Sequence, residues 1–243
     1  MKETPLPLDW GKDPLSAFIE DANHNTLATF VNLKPEFTHL EAINHAFKKI
    51  TDNLKNPKVF IPALFLFRSH SSYLGAVRLA VSGQIPETYM VLRGCLENSF
   101  YALHIDRVPG NGEVWINRNN DLQSLQQCKN NFRISTVLGT LKSKDVILHK
   151  SAKQLYEMTI EYGGHPNEMS LSSIMSKSED ESKIDFKIAY LTSYKVNRPA
   201  FQLCLKNTAR TGICSLMIFK AIFQERFDIL GISDELEKLK QGL

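Results

Sequence analysis

The stretch from Val59 to Ile105, VFIPALFLFRSHSSYLGAVRLAVSGQ followed by IPETYMVLRGCLENSFYALHI, constrains the fold of this chain more than any other. It reads as two long helices joined at Ser82-Gly83-Gln84, with Pro86 in the first turn of the second. Both are apolar around most of their circumference, the pattern of a helix surrounded by other helices. The remaining chain must therefore supply the surround. Arg68, His70, Arg78, Arg93, Glu97 and His104 interrupt the apolar run and are expected to find partners, because a buried charge left unpaired is strongly destabilising. Arg93 and Glu97 stand four apart on one helix face, placed to pair directly. Gly75, Ala76, Gly94, Cys95 and Ala102 are small enough to let two helix backbones approach closely.

The flanking segments read mostly as helices. Residues 1–12 read as an extended arm carrying Trp10, and Asp13-Pro14 is an N-cap and first-turn pair for a helix through about Val31. After Lys34-Pro35, the residues Phe37, Leu40, Ile43, Phe47, Ile50 and Leu54 fall at helical spacing. Pro109, Gly110 and Gly112 mark a loop, followed by a polar surface helix over Glu113 to Asn131 and further helix over Phe132 to Leu141. Ser143-Lys144-Asp145 caps a helix reaching about Tyr162, where Gly163-Gly164 stops it. The pattern then changes within 166–198. Lys183 to Tyr190 alternates apolar and polar residues after a turn at Ser176 to Ser182, which predicts a small β-hairpin with Leu171 to Met175 as the partner strand. Pro199 restarts an apolar helix from about Ala200 to Phe227, expected to pack on the central hairpin. A short charged helix over 233–241, capped by Ser233, closes the chain. The fold class is thus all-α for the most part: a multi-helix bundle around a long helical hairpin, in one domain over 1–243.

Composition bounds the partners. A net charge of +3 in 243 residues gives no argument for nucleic acid. The lysines at 48, 49, 55, 58, 142, 144, 150 and 153 have few aromatics among them and read as solvated faces, which leaves a nucleic-acid surface weakly supported. Cys95, Cys128, Cys204 and Cys214 lack metal-ligand spacing and read as reduced core residues, pointing to the cytoplasm. No basic-then-apolar leader begins the chain, and the longest apolar run is about half the roughly 20 residues a bilayer needs, so neither export nor membrane insertion is expected.

The segment FRSHSSYLGAVRLAVSGQIPETYMVLRGCLENSFYAL, with the later LYEMTIEYGGHPN, resembles a loose group of uncharacterised bacterial all-helical proteins near the HEPN-like and abortive-infection families. The matching positions are Ala80, Gly83, Glu87, Leu92, Arg93, Glu97, Tyr156, His165 and Pro166, covering about half the chain; Gly163-Gly164 stands where the group carries bulkier residues. The resemblance implies a helical fold and a bacterial origin, with no agreed activity. The Arg and His four to six residues apart that an HEPN-type ribonuclease presents to the scissile phosphate do not occur here.

Arg93, Glu97, Tyr156 and His165 are the candidate catalytic residues. For Arg93 and Glu97 the competing role is a buried structural pair. His165 suits proton transfer near neutrality, or capping of a helix C-terminus. Asp21-x-x-His24 and Glu36-x-x-His39 have di-iron spacing, but Glu36 sits at a helix start beside Pro35 and the central hairpin offers only Glu87 and Glu97 as inward carboxylates, so surface or capping roles are expected and no metal or other cofactor. The zinc-peptidase HExxH, the P-loop, GxGxxG and GxSxG are absent. The expected function is a binding or assembly module, forming a homo-oligomer, most simply a homodimer, or taking an unknown protein partner. The alternative is an RNA-directed or defence-linked enzyme of HEPN-like ancestry.

Overall fold

Asp13 starts the first helix as its residue type suggests, its carboxylate accepting the backbone N–H groups of Leu15 and Ser16 at 2.9 and 3.0 Å, with Pro14 next. In the computed structural model, which describes residues 7–55, 57, 59–164, 175–180, 183–188, 190–193, 195 and 197–241, the helices run in this order. They are α1 (Pro14–Asn32), α2 (Lys34–Asn53), α3 (Phe60–Ser82), α4 (Ile85–Arg107), α5 (Asn111–Ile116), α6 (Leu122–Asn131), α7 (Ile134–Lys144) and α8 (Val146–Thr159), then α9 (Arg198–Ile222), α10 (Gln224–Ile229) and α11 (Ile232–Lys240). No described helix is long and apolar enough to cross a membrane. The protein is an all-α multi-helix bundle.

Helices α3 and α4 form the expected hairpin. Gly83 ends α3 with φ +88°, a conformation that favours glycine; its N–H bonds to Ala80 O and that of Gln84 to Leu79 O, closing the helix end. The interior of the hairpin is built from small residues: Ala76, Cys95 and Ala102 are fully buried. Helix α9 packs on α3 and α4, as its apolar character predicts, and one apolar cluster forms between α2, α3, α4, α9 and α11. A second forms where α4 and α9 meet α6, α7 and α8. Helices α4 and α9 thus serve both clusters. All four cysteines are free and buried.

Several expectations are corrected. Residues 7–12, the described part of the extended arm, turn back: the N–H of Trp10 bonds to Pro7 O at 3.0 Å, and Gly11 takes φ +85°. The polar segment 113–131 is two helices separated by a 3-10 turn at Asn117–Asn119, because Asp121 accepts the N–H of Ser124 and begins a new helix. The long C-terminal helix ends at Ile222, and the break at Phe223 lets both Phe223 and Phe227 point into the core. Gly231, at φ +67°, stands at the N-cap of α11, while the hydroxyl of Ser233 donates to Asp228. In the β-hairpin, β1 (Met175–Asp180) pairs antiparallel with β2 (Lys183–Ile188), Asp180 opposite Lys183. The partner strand is therefore the segment read as a turn, since a connection this short pairs β2 with the residues directly before it. Leu171 to Ile174 of the expected strand lie outside the described residues.

The polar interruptions of the hairpin divide. His70 Nε2 meets Asn44 Oδ1 at 2.8 Å and its ring stacks on Phe47. His104 lies between Thr140 Oγ1 and Asn111 Nδ2, each at 2.7 Å, and Asn131 donates to Asn111. The amide donor at Nε2 fixes the neutral tautomer, with Nδ1–H donating to Thr140. Arg68 and Arg78, expected to need buried partners, are exposed, since both lie on the side of α3 that faces away from the bundle.

A Cβ on Gly212 of α9 would lie 2.6 Å from Tyr73 Cε2 and 2.7 Å from Ile43 Cγ2. Gly212→Ala should therefore lose about 1–3 kcal/mol in thermal melts through overpacking, whereas Gly139→Ala in α7, with nothing within 4 Å, should gain about 0.5–1 kcal/mol from helix propensity. Equal effects would contradict the close approach. Burial holds His39, His70 and His104 below the ordinary 6.5. The unfolded chain binds their protons first, so this contribution to stability is complete above pH 6.5 and declines as pH falls through that value. Urea midpoints should be level from about pH 8 to 7 and fall between about pH 6.5 and 5; a midpoint constant across that lower interval would refute the assignment.

Candidate functional site

Three of the four predicted residues meet. Arg93 and Glu97 are one turn apart on α4, and Arg93 Nε donates to Glu97 Oε1 at 2.8 Å. The same oxygen accepts the hydroxyl of Tyr156, on α8, at 3.1 Å. The Arg93 guanidinium also lies 5.4 Å from the centre of the Tyr156 ring, close enough for a cation–π contact. Tyr156 is anchored from behind by the second core cluster, its ring 6.2 Å from Phe100. His165 lies outside the described residues.

The pair is not the buried one that its surroundings in the sequence suggest: the Arg93 and Glu97 side chains are 36% and 35% exposed. They face the surface because the opposite side of α4 is given to α3 and α9. Bonding to Glu97 raises the Arg93 pKa further. Burial first, then the Glu97 charge, raises that of the Tyr156 phenol, which is therefore a hydrogen-bond donor at neutral pH and not a base. The cluster presents a fixed guanidinium at a half-open surface, a group suited to binding an oxyanion.

The segment after α8 approaches α4 tightly. Ile160–Gly164 continues α8 as a π-helix, and a Cβ on Gly163 would lie 2.7 Å from both Met90 N and Pro86 O. Gly163 is thus required for backbone contact, where the sequence reads only as a helix stop. Tyr162, next to it, stacks on Tyr89 at 5.0 Å.

The other residue groups singled out by sequence do not converge. Asp21 and His24 are exposed on α1. Glu36 Oε1 accepts from Gln202 at 2.9 Å, and the neighbouring His39 Nε2 is buried without a hydrogen-bond partner among the described residues. Among the described residues no group of three or more His, Cys, Asp and Glu is placed to hold a metal ion. Lys48 and Lys153 pair with Asp52 and Glu157 at 2.7 and 3.5 Å. A cleft of about 620 Å³ between α8 and α9, with Leu155, Met158, Ile213 and Met217 in its wall, includes none of the three clustered residues.

Sequence reasoning missed the outward face of α3. Phe60, Leu64, Phe67 and Leu74 are 65%, 45%, 45% and 46% exposed, and exposed Ser71 and Arg78 continue the line. Successive members are alternately four and three residues apart, so they form one straight seam along the helix. The 4-3 spacing was present in the sequence, but apolar residues on every other face of α3 concealed it.

Because the pair is half-exposed, Arg93→Ala should cost no more than about 1 kcal/mol in denaturant titration, against the roughly 3–5 kcal/mol of breaking a buried pair. A loss in the larger range would mean that the pair carries the local structure. No protein-family model, curated protein or solved structure matches the chain; the chemistry of the cluster rests on its own geometry.

Proposed function

We propose that this chain is a helical binding and assembly module whose working surface is the outward face of α3. What carries the reading is the seam itself: four large apolar side chains, each nearly half exposed or more, in one 4-3 line. Scattered exposed apolar residues are ordinary, but an aligned row is a surface suited to being covered. Covering what remains exposed of such a side chain is worth about half of the roughly 1.5–3 kcal/mol of complete burial. The 4-3 spacing fits one occupant shape above others, a second helix crossing at about 20° with its side chains set between these. The reduced, buried thiols suit a cytoplasmic setting.

The test uses a fluorescent synthetic helix of about three heptads, with leucine at 4-3 spacing on an alanine, glutamate and lysine background. Titration with the whole protein should give a saturable anisotropy rise, and Phe67→Glu, melting as the parent does, should weaken it at least tenfold. No rise, or equal binding by the variant, would refute the reading.

A second reading is favoured by the convergence of Arg93, Glu97 and Tyr156 at a half-open surface. In it the chain is an RNA-directed or defence-linked enzyme of HEPN-like ancestry, with Arg93 binding a phosphate oxygen and Glu97 and Tyr156 orienting it. Cleavage of a labelled RNA by the purified chain, lost in Arg93→Ala and in His165→Ala while both melt normally, is the expected result. A chain without cleavage, or variants that cleave as well as the parent, would dismiss it.

A further inference from the structure

The seam on α3 is complementary to itself when reversed. We infer that its occupant is the same helix of a second copy of this chain, packed antiparallel about a two-fold axis level with residue 69; this rests on the assembly reading above. In that register Phe67 stands opposite Ser71 of the second copy, a large side chain over a small one, and Leu64 stands opposite Leu74. Phe60 meets Arg78, whose exposed guanidinium can lie on the ring face. Every seam position then has a partner of fitting size or charge, over a helix length of about 27 Å.

Parallel pairing lacks this fit. It sets Arg78 against Arg78 and Ser71 against Ser71, a like-charge contact and a gap, on the axis where two helices are closest. Arg68 lies to one side of the seam and in the antiparallel pair approaches its own copy near the axis, but in solvent, where salt screens the repulsion. Beside the seam, Val91 of α4 fills the space left by Gly75, since a Cβ there would lie 3.5 Å from Val91 Cγ1, and this gives the docking face an apolar shoulder. The large-over-small matching and the one cation opposite the terminal ring both favour the reversed copy over the parallel one.

Thiol cross-linking reads the orientation. The native cysteines are all buried and so should not react with a short bis-maleimide. Leu64→Cys and Leu74→Cys, at exposed positions that leave the core unchanged, are purified separately. Mixed, they should give a covalent dimer, and each alone should give several-fold less. Sedimentation of the unmodified protein at about 100 µM, where micromolar association saturates, should show twice the chain mass, with Phe67→Glu returning it to one chain. Efficient cross-linking of each variant alone would mean parallel pairing and overturn the inference, while the assembly reading stands. A single-chain mass together with binding of the leucine-seam peptide would also overturn it, leaving a helix-docking module with a different partner. A single-chain mass without peptide binding would remove both.

Discussion

One backbone carbonyl lies where the three central helices meet. The oxygen of Cys95, in α4, accepts the hydroxyl of Ser69 from α3 at 3.0 Å and that of Ser215 from α9 at 3.4 Å, and all three residues are completely buried. Small side chains allow the approach, and the hydroxyls satisfy their own polarity by bonding to a helix that is already formed. Gly212, one turn before Ser215, extends the same contact to Tyr73, whose hydroxyl in turn bonds to Leu40 O of α2. Larger residues at these positions would separate the helices, and the two apolar clusters that meet on α4 and α9 would lose their common wall.

This arrangement determines what remains free. Once α3 is committed on one side to α4 and α9, on another to α2 through His70 and Tyr73, and at its C-terminal end to α1 through Thr29 and Asn25, the side carrying Phe60, Leu64, Phe67 and Leu74 is left exposed among the described residues. The residues there are nevertheless apolar. Helix α4 is in the opposite situation: its spare side carries Arg93 and Glu97 and receives Tyr156 from α8. The two helices of the hairpin thus offer unlike surfaces, an apolar row and a charged cluster, for one structural reason.

Local signals carried far in this chain. The hairpin, its glycine turn and the caps at Asp13 and Asp145 can all be read from residue type and spacing, because each depends on neighbours within a few positions. The pairing of Arg93 with Glu97 is local in the same sense, whereas Tyr156 joins them from 59 residues away, a contact that sequence alone does not show. What could not be read depended on contacts distant in sequence. The need for Gly163 comes from the backbone of Pro86 and Met90, and the half-exposure of the Arg93 pair comes from which side of α4 the other helices occupy. The outward row on α3 was obscured by its own composition: where nearly every position is apolar, periodicity cannot say which side is covered. Arg68 and Arg78 were the available clue, since two arginines on an otherwise apolar helix mark its solvent side.

The geometry of α4 also keeps the two functional readings apart. Gly94 faces α3, where a Cβ would lie 3.6 Å from Ser72 Oγ, while Arg93 and Glu97 face α8 through Tyr156. The apolar row and the charged cluster therefore stand on different helices of the hairpin. Pairing through α3 would leave the Arg93 guanidinium open to solvent, and substitutions on either surface would touch neither the carbonyl of Cys95 nor the hydroxyls bound to it. The two proposed activities would then use different helices of the hairpin, assembly the side of α3 that the core left bare and anion binding the side of α4 that receives Tyr156.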